Sequence, residues 1–146
     1  MIVTQLERRC NLENSVTYNE IRIIVAGTRT FSDYELLRNK LDDFISELKQ
    51  KHPNKQIVII TGAAKGADQL GSFYARSHNI PIKEFPADWT TYGKAAGPIR
   101  NKQMLDYALH EIPELIVFWD GKSRGTKSMM NIAKSHNVQT EIVLIQ

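Results

Sequence analysis

The chain has 146 residues, 42% hydrophobic and 24% charged, with a formal net charge of +3 and a sequence pI near 9.0. These values fit a single globular domain large enough to bury a core, and they argue against disordered and membrane classes. Basic residues are interspersed with acidic ones, so a nucleic-acid groove is permitted without being implied, and a small anionic ligand needs no more positive charge than this.

The opening MIVTQLERRCNLENSVTYNE lacks a signal peptide's basic start and continuous apolar centre, and residues 1–20 read as an N-terminal extension to a domain of residues 21–146. Cys10 has no second cysteine to bond and no companions to build a metal site, which suits a reducing cytoplasm. No apolar run approaches the roughly 20 residues of a membrane-spanning helix. The expectation is a cytoplasmic protein with no membrane association and no resident metal or cofactor.

From Ile21 onward, short apolar runs alternate with amphipathic stretches: IRIIVA (21–26), QIVIIT (56–61), PIKEFP (81–86), ELIVFW (114–119) and TEIVLI (140–145). After the first run, Ser32 and Glu35 have capping-box spacing, and Leu37, Leu41, Phe44, Ile45 and Leu48 recur at helical intervals. Less regular helices fit about 67–78 and 124–136. The stretch after the third run reads as a loop followed by a helix with Pro98 at its first position. Strands alternating with helices predict an α/β fold: a single Rossmann-like, doubly wound parallel sheet of five strands, in the order 3-2-1-4-5. Its topological switch would lie between strands 1 and 4, where open α/β sheets bind ligands beyond the carboxyl ends of the strands.

The segments that emerge at that pole are GTRTFSD (27–33), GAAKGAD (62–68), ADWTTYGKAAGPIRN (87–101) and DGKSRGTKS (120–128). Seven of the eight glycines lie in them, and glycine lets backbone amides approach a ligand at helix N-termini that favour phosphate. None has the G-x-G-x-x-G or Walker spacing, so ordinary dinucleotide and triphosphate chemistry loses support. The histidines, at 52, 78, 110 and 136, each fall near a helix end before the next strand, at the opposite pole, which argues against a histidine base or a histidine-ligated metal among the glycine loops.

Taken in order, GTR, TGAAKGAD, FPADWTTYGKAAGPIRNKQM and FWDGKSRGT resemble the YspA, or cpYpsA-related, branch of the SLOG superfamily (DUF2493), from about Ile21 to Gln146. That superfamily includes the LOG phosphoribohydrolases and, more distantly, the DNA-processing protein DprA. The resemblance implies a Rossmann-like fold, a nucleotide-derived ligand and self-association. Carried over by residue, Gly27, Thr28 and Arg29 match the first loop and Gly62, Gly66, Ala67 and Asp68 match G-x-x-x-G-A-D. Arg100, Asn101 and Met104 match R-N-x-x-M, and Asp120, Gly121, Ser123, Gly125 and Thr126 match D-G-x-S-x-G-T. LOG-like enzymes pair an arginine with a glutamate three residues after the last threonine. Here that position is Met129, a thioether that cannot activate water, so Arg100 and Asp120 are catalytic candidates only if the chain is an enzyme.

Arg29 and Lys65 are candidates for phosphate contact, as are Lys94, Arg100 and Asn101, with solvated or helix-end roles as the plain alternative. Asp68 and Asp120 suit ribose hydroxyls, or first-turn and turn positions. Trp89 and Tyr92 offer either base stacking or packing. Ser123 and Thr126 suit phosphate oxygens, Ser123 being equally a helix cap. The leading expectation is a receptor or sequestering sponge for a nucleotide-derived signal such as ADP-ribose or cyclic ADP-ribose. An N-glycosidic hydrolase is the alternative. DprA-like nucleic-acid binding comes third, disfavoured because no basic stripe is present.

Overall fold

The computed structural model describes residues 17–146; residues 1–16, including Cys10 and most of the expected extension, lie outside the described residues. The elements are β1 (Glu20–Gly27), α1 (Tyr34–Lys51), β2 (Gln56–Thr61), α2 (Ala67–Ser77), β3 (Ile82–Glu84), a short α3 (Trp89–Tyr92), a 3-10 turn (Gly93–Ala95), α4 (Ala96–Leu109), β4 (Ile112–Trp119), α5 (Arg124–Ser135) and β5 (Thr140–Leu144). The five strands form one all-parallel sheet in the order β3-β2-β1-β4-β5, as the alternating pattern predicts.

Alternation along the central strands divides the core in two. Ile21, Ile23 and Val25 of β1, with Ile57, Ile59, Ile116 and Phe118 of its neighbours, pack beneath Leu37, Leu41 and Ile45 of α1 and Tyr74 and Ala75 of α2. Ile24, Ala26, Ile60, Leu115 and Val117 face the other way, against Met104, Leu105 and Ala108 of α4 and Met129 and Ala133 of α5. A strand buried on both faces is apolar at nearly every position, which is why IRIIVA and ELIVFW, interrupted only by Arg22 and Glu114, read as near-continuous runs rather than alternating ones. The crossover from β3 to β4 carries the chain past β1 and onto the second face, so the loops after β1 and β4 diverge at a crevice above the sheet.

Several local expectations are corrected. Asp33, not Ser32, caps α1: its carboxylate accepts the Leu36 N–H at 3.1 Å, so the Ser32/Glu35 capping box does not form. Asp is as good a cap as Ser, and the helix begins one residue later than that box requires. The segment after β3 is not a plain loop, because Asp88 accepts the Thr91 N–H at 3.0 Å and starts α3, from which a 3-10 turn leads straight into α4. Pro98 is consequently the third residue of α4, where the N–H it lacks would have had no intrahelical acceptor. The third strand pairs only over Ile82–Glu84, between Pro81 and Pro86, neither of which can donate to a ladder. Pairing in β1 begins at Glu20, one residue before the expected start.

The expectation for the histidines holds. His52, His78, His110 and His136 occupy the C-cap positions of α1, α2, α4 and α5, away from the carboxyl ends of the strands. In three of them the ring Nδ1 donates to the carbonyl four residues back, at 2.7–2.9 Å. Lys51, Lys55 and burial keep His52 below the usual imidazole range, with burial the largest influence.

Candidate functional site

The loops after β1, β2 and β4 and the first half of α4 meet around a cavity of about 130 Å³. It is lined by Gly27, Arg29, Asp68, Arg100, Asn101, Ser123, Gly125 and Thr126, together with Ala26, Ala64, Met104 and Met129. A larger hollow of about 560 Å³ lies between α5 and β5, bounded by residues such as Lys127, Met130, Lys134 and Ile142. That hollow sits at the sheet's edge, away from the glycine loops and without a charge pair. The smaller cavity lies at the switch point and gathers convergent polar groups, which makes it the candidate site.

Thr28 is the junction of three loops. Its N–H donates to Phe118 O at 2.9 Å, its carbonyl accepts the Ala67 N–H at 3.3 Å, and its hydroxyl accepts the Asp120 N–H at 3.1 Å. Gly66 makes the contact possible: it has φ +80°, and a Cβ there would run into the carbonyls of Thr28 and Arg29. Gly66→Ala is expected to destabilise the fold by about 2 kcal/mol, read as a lower midpoint in urea, because backbone cannot yield as a side-chain tip can. Ala63 in the same loop sits at φ 58°, a left-handed conformation uncommon for a residue with a Cβ. Such conformations concentrate where a loop is held for a purpose.

Arg100 is 8% exposed. Its guanidinium donates to Gly62 O at 2.5 Å and to Asn101 Oδ1 at 3.1 Å, while Asn101 Nδ2 reaches Gly125 O at 3.3 Å and so ties α4 to the start of α5. Asp68, 5% exposed, enters from α2 and accepts the Ala64 N–H at 3.2 Å. A Cβ at Gly62 would strike both the Arg100 guanidinium and the Asp68 carboxyl, so the absence of a side chain there is what lets the two converge. Burial pushes Asp68 up to about 6, against the opposing pull of Arg100 and the Ala64 N–H; burial likewise lowers Arg100.

The native state therefore holds a proton on Asp68 more tightly than the unfolded chain does. The stability this group contributes is fully present below pH 4 and is lost as pH rises through about 6. Between pH 7.5 and 5.5 the gain expected from Asp68 is about 1 kcal/mol. Urea titrations of wild type and Asp68→Asn at both pH values isolate it, since the variant should lack that increment.

Two helices begin at the cavity without a side-chain cap. Gly66 precedes α2 and has no side chain to offer. Ser123 precedes α5, but its hydroxyl pairs with Thr126 Oγ1 at 3.1 Å instead of with a helix amide. Amides left free at a helix start, together with the helix dipole, favour an anion. Asp120 is committed elsewhere: its carboxylate accepts the Lys122 and Ser123 N–H groups at 2.9 and 2.8 Å, which holds it below the usual carboxylate range. Asp88 is likewise lowered by its hydrogen bonds from Thr91.

Arg29 is exposed, forms no ion pair among the described residues, and stands 5.6 Å from the Trp89 ring centroid. Trp89 and Tyr92 are 49% and 48% exposed, and the Trp89 indole passes over Gly97. Thr28, Gly62, Lys65, Gly66, Trp89, Tyr92, Lys94, Asp120 and Gly121 do not line the cavity; Thr28, Gly62 and Gly66 hold the loops that form it, Trp89 lies near it through Arg29, and Lys94 is exposed on the 3-10 turn. Ala26, Ala64, Met104 and Met129 line it without having been candidates. Met104, already matched to the last position of R-N-x-x-M, lies four residues from Arg100 on the same helical face. Among the described residues no group of three or more His, Cys, Asp or Glu could hold a metal ion, and no helix is long and apolar enough to cross a membrane.

Residues 21–92 match the family model described as YspA, cpYpsA-related SLOG family. The match covers β1 to α3 with the first two glycine loops and stops before Arg100. The Gene 61 protein of Mycobacterium phage D29 is 26% identical over 122 residues, which cover 80% of this chain and 91% of that protein. No solved structure matches the chain significantly. Residues 21–92 carry the signature of the YspA, cpYpsA-related SLOG family, and the five-stranded parallel sheet with its glycine loops around the switch-point cavity supports that assignment.

Proposed function

We propose that the protein binds a nucleotide-derived small molecule of the ADP-ribose or cyclic ADP-ribose type, as a receptor or a sequestering sponge. The observation that carries this reading is the convergence of Arg29, Arg100 and two helix starts without a side-chain cap on one polar cavity. At about 130 Å³ the cavity takes a phosphate-sized group, well below the roughly 300–1,000 Å³ of pockets that enclose a whole small molecule. The rest of the ligand then lies across the surface toward Arg29, Trp89 and Tyr92, where an exposed indole offers a stacking face for a base.

The deciding experiment incubates the protein with AMP, ADP-ribose, NAD and cyclic ADP-ribose, separates bound from free, and analyses both fractions by mass spectrometry after denaturation. Recovery of one compound unchanged from the bound fraction supports the reading. Retention of none removes it.

One observation favours a second reading, an N-glycosidic hydrolase. Three aspartates in the loops after strands 2 to 4 offer a carboxylate in place of the glutamate absent at Met129: Asp88 is occupied as the cap of α3 and Asp120 as the acceptor of the turn before α5, whereas Asp68 lines the cavity beside Arg100. A carboxyl poised near neutral pH in that place suits acid–base work. Free base and ribose phosphate in the same experiment would establish it.

A further inference from the structure

The charged groups that meet at the cavity are few and can be assigned element by element. The loop after β1 brings the Arg29 guanidinium, α4 brings that of Arg100, and α2 brings the Asp68 carboxyl. The start of α5 contributes Ser123, Gly125 and Thr126, none of them ionisable, and Lys65, on the loop after β2, is not among the lining residues. With Asp68 ionised the cavity carries one net positive charge; with Asp68 protonated it carries two.

Asp68 and Arg100 converge beside Gly62 without closing an ion pair within 4 Å, so the guanidinium is only partly neutralised. Both side chains are more than nine-tenths buried, and in such a place an unmatched charge is poorly screened by water or salt. The charge of an entering anion therefore has to be met inside the cavity.

We propose that Asp68 selects the charge of the oxyanion this cavity admits: a singly charged, phosphodiester-type group enters with Asp68 ionised, whereas a doubly charged, phosphomonoester-type group enters only with a proton taken up on Asp68. This rests on the reading of the cavity as the phosphate subsite of a nucleotide derivative, and it sharpens the ligand class. Diphosphate bridges and cyclic esters, whose phosphoryl groups carry one charge each, match the cavity at neutral pH. A terminal monoester, dianionic above its second ionisation near pH 6, does not. The position of Asp68 near 6 places the changeover where a cell's pH leaves the carboxyl mostly ionised.

The test uses two probes whose charge does not change between pH 5.5 and 7.5: sulfate, doubly charged, and dimethyl phosphate, singly charged. Each is titrated into the full chain and its Kd read from amide shifts, for wild type and Asp68→Asn. Sulfate affinity for wild type should fall at least about tenfold from pH 5.5 to 7.5, as proton-linked binding requires, while dimethyl phosphate changes by less than about threefold. Asp68→Asn should bind sulfate at pH 7.5 about as tightly as wild type does at pH 5.5. Sulfate binding that is flat with pH in wild type, or a pH dependence that survives in Asp68→Asn, overturns the proposal; should the variant not fold, the wild-type comparison alone decides. ADP-ribose titrated into the same samples separates the two levels. Its binding alongside flat sulfate affinity sinks the role of Asp68 alone, whereas the expected sulfate behaviour without ADP-ribose binding sinks the nucleotide reading alone. Failure of all three probes to bind removes both.

Discussion

Arg100→Ala is expected to lower stability by about 3 kcal/mol and to abolish ligand binding in the same variant. The guanidinium is not a solvated first-turn cation waiting for a phosphate. It is 8% exposed, holds Gly62 O at 2.5 Å and Asn101 at 3.1 Å, and offsets the buried Asp68. Truncation leaves the Gly62 carbonyl and Asn101 Oδ1 without their donor and Asp68 without its nearby compensating charge, in a cavity that water enters poorly, and such losses are among the few that reach this size. Urea unfolding at neutral pH measures the first effect and equilibrium binding of ADP-ribose the second. A variant as stable as wild type would show that Arg100 is not the strut that joins α4 to the loop after β2. Arg100→Lys should recover little, since an ammonium cannot reproduce the forked geometry.

Arg29→Ala should behave in the opposite way, with binding weakened on the order of 10- to 100-fold and the unfolding midpoint unchanged. Arg29 is exposed and makes neither a hydrogen bond nor an ion pair among the described residues, so its removal leaves nothing unsatisfied. Its charge stands at the rim between the cavity and the Trp89 ring, where one guanidinium can bridge a phosphate and a stacked base. The two arginines therefore separate by measurement: one variant loses fold and ligand together, the other ligand alone. Unchanged affinity in Arg29→Ala would move the ligand away from the Trp89 side of the crevice.

The pH behaviour of Asp68 belongs with these variants. Ionisable groups outside the cavity contribute slopes of their own, Glu114 among them, which burial raises at the other end of the sheet. Comparison with Asp68→Asn cancels those slopes and leaves the increment that belongs to the cavity.

What the sequence by itself determined was the architecture and the pole at which function gathers. Five apolar runs bounded by helical periodicity specify a parallel sheet, because strands buried on both faces and helices buried on one leave different hydrophobic signatures. Right-handed crossovers then leave few strand orders, and the observed one follows. Glycines clustered after strands, and histidines before them, mark the two ends. Local capping was less legible: Ser32 and Asp33 are adjacent, equally good caps, and only the path of the chain into α1 chose Asp33.

The tertiary structure alone decided which polar side chains meet. Three aspartates in glycine loops look interchangeable along the chain. Folding turns Asp88 and Asp120 into hydrogen-bond acceptors for nearby N–H groups and leaves Asp68 in the cavity. Arg100 and Asp68 are far apart in sequence and share no motif. What joins them is the missing side chain of Gly62, a spatial fact that no spacing encodes. The segment from Trp89 to Ala95 reads as a loop because its helical turns are too short to show a period, and tertiary contacts such as Trp89 over Gly97 hold it in place.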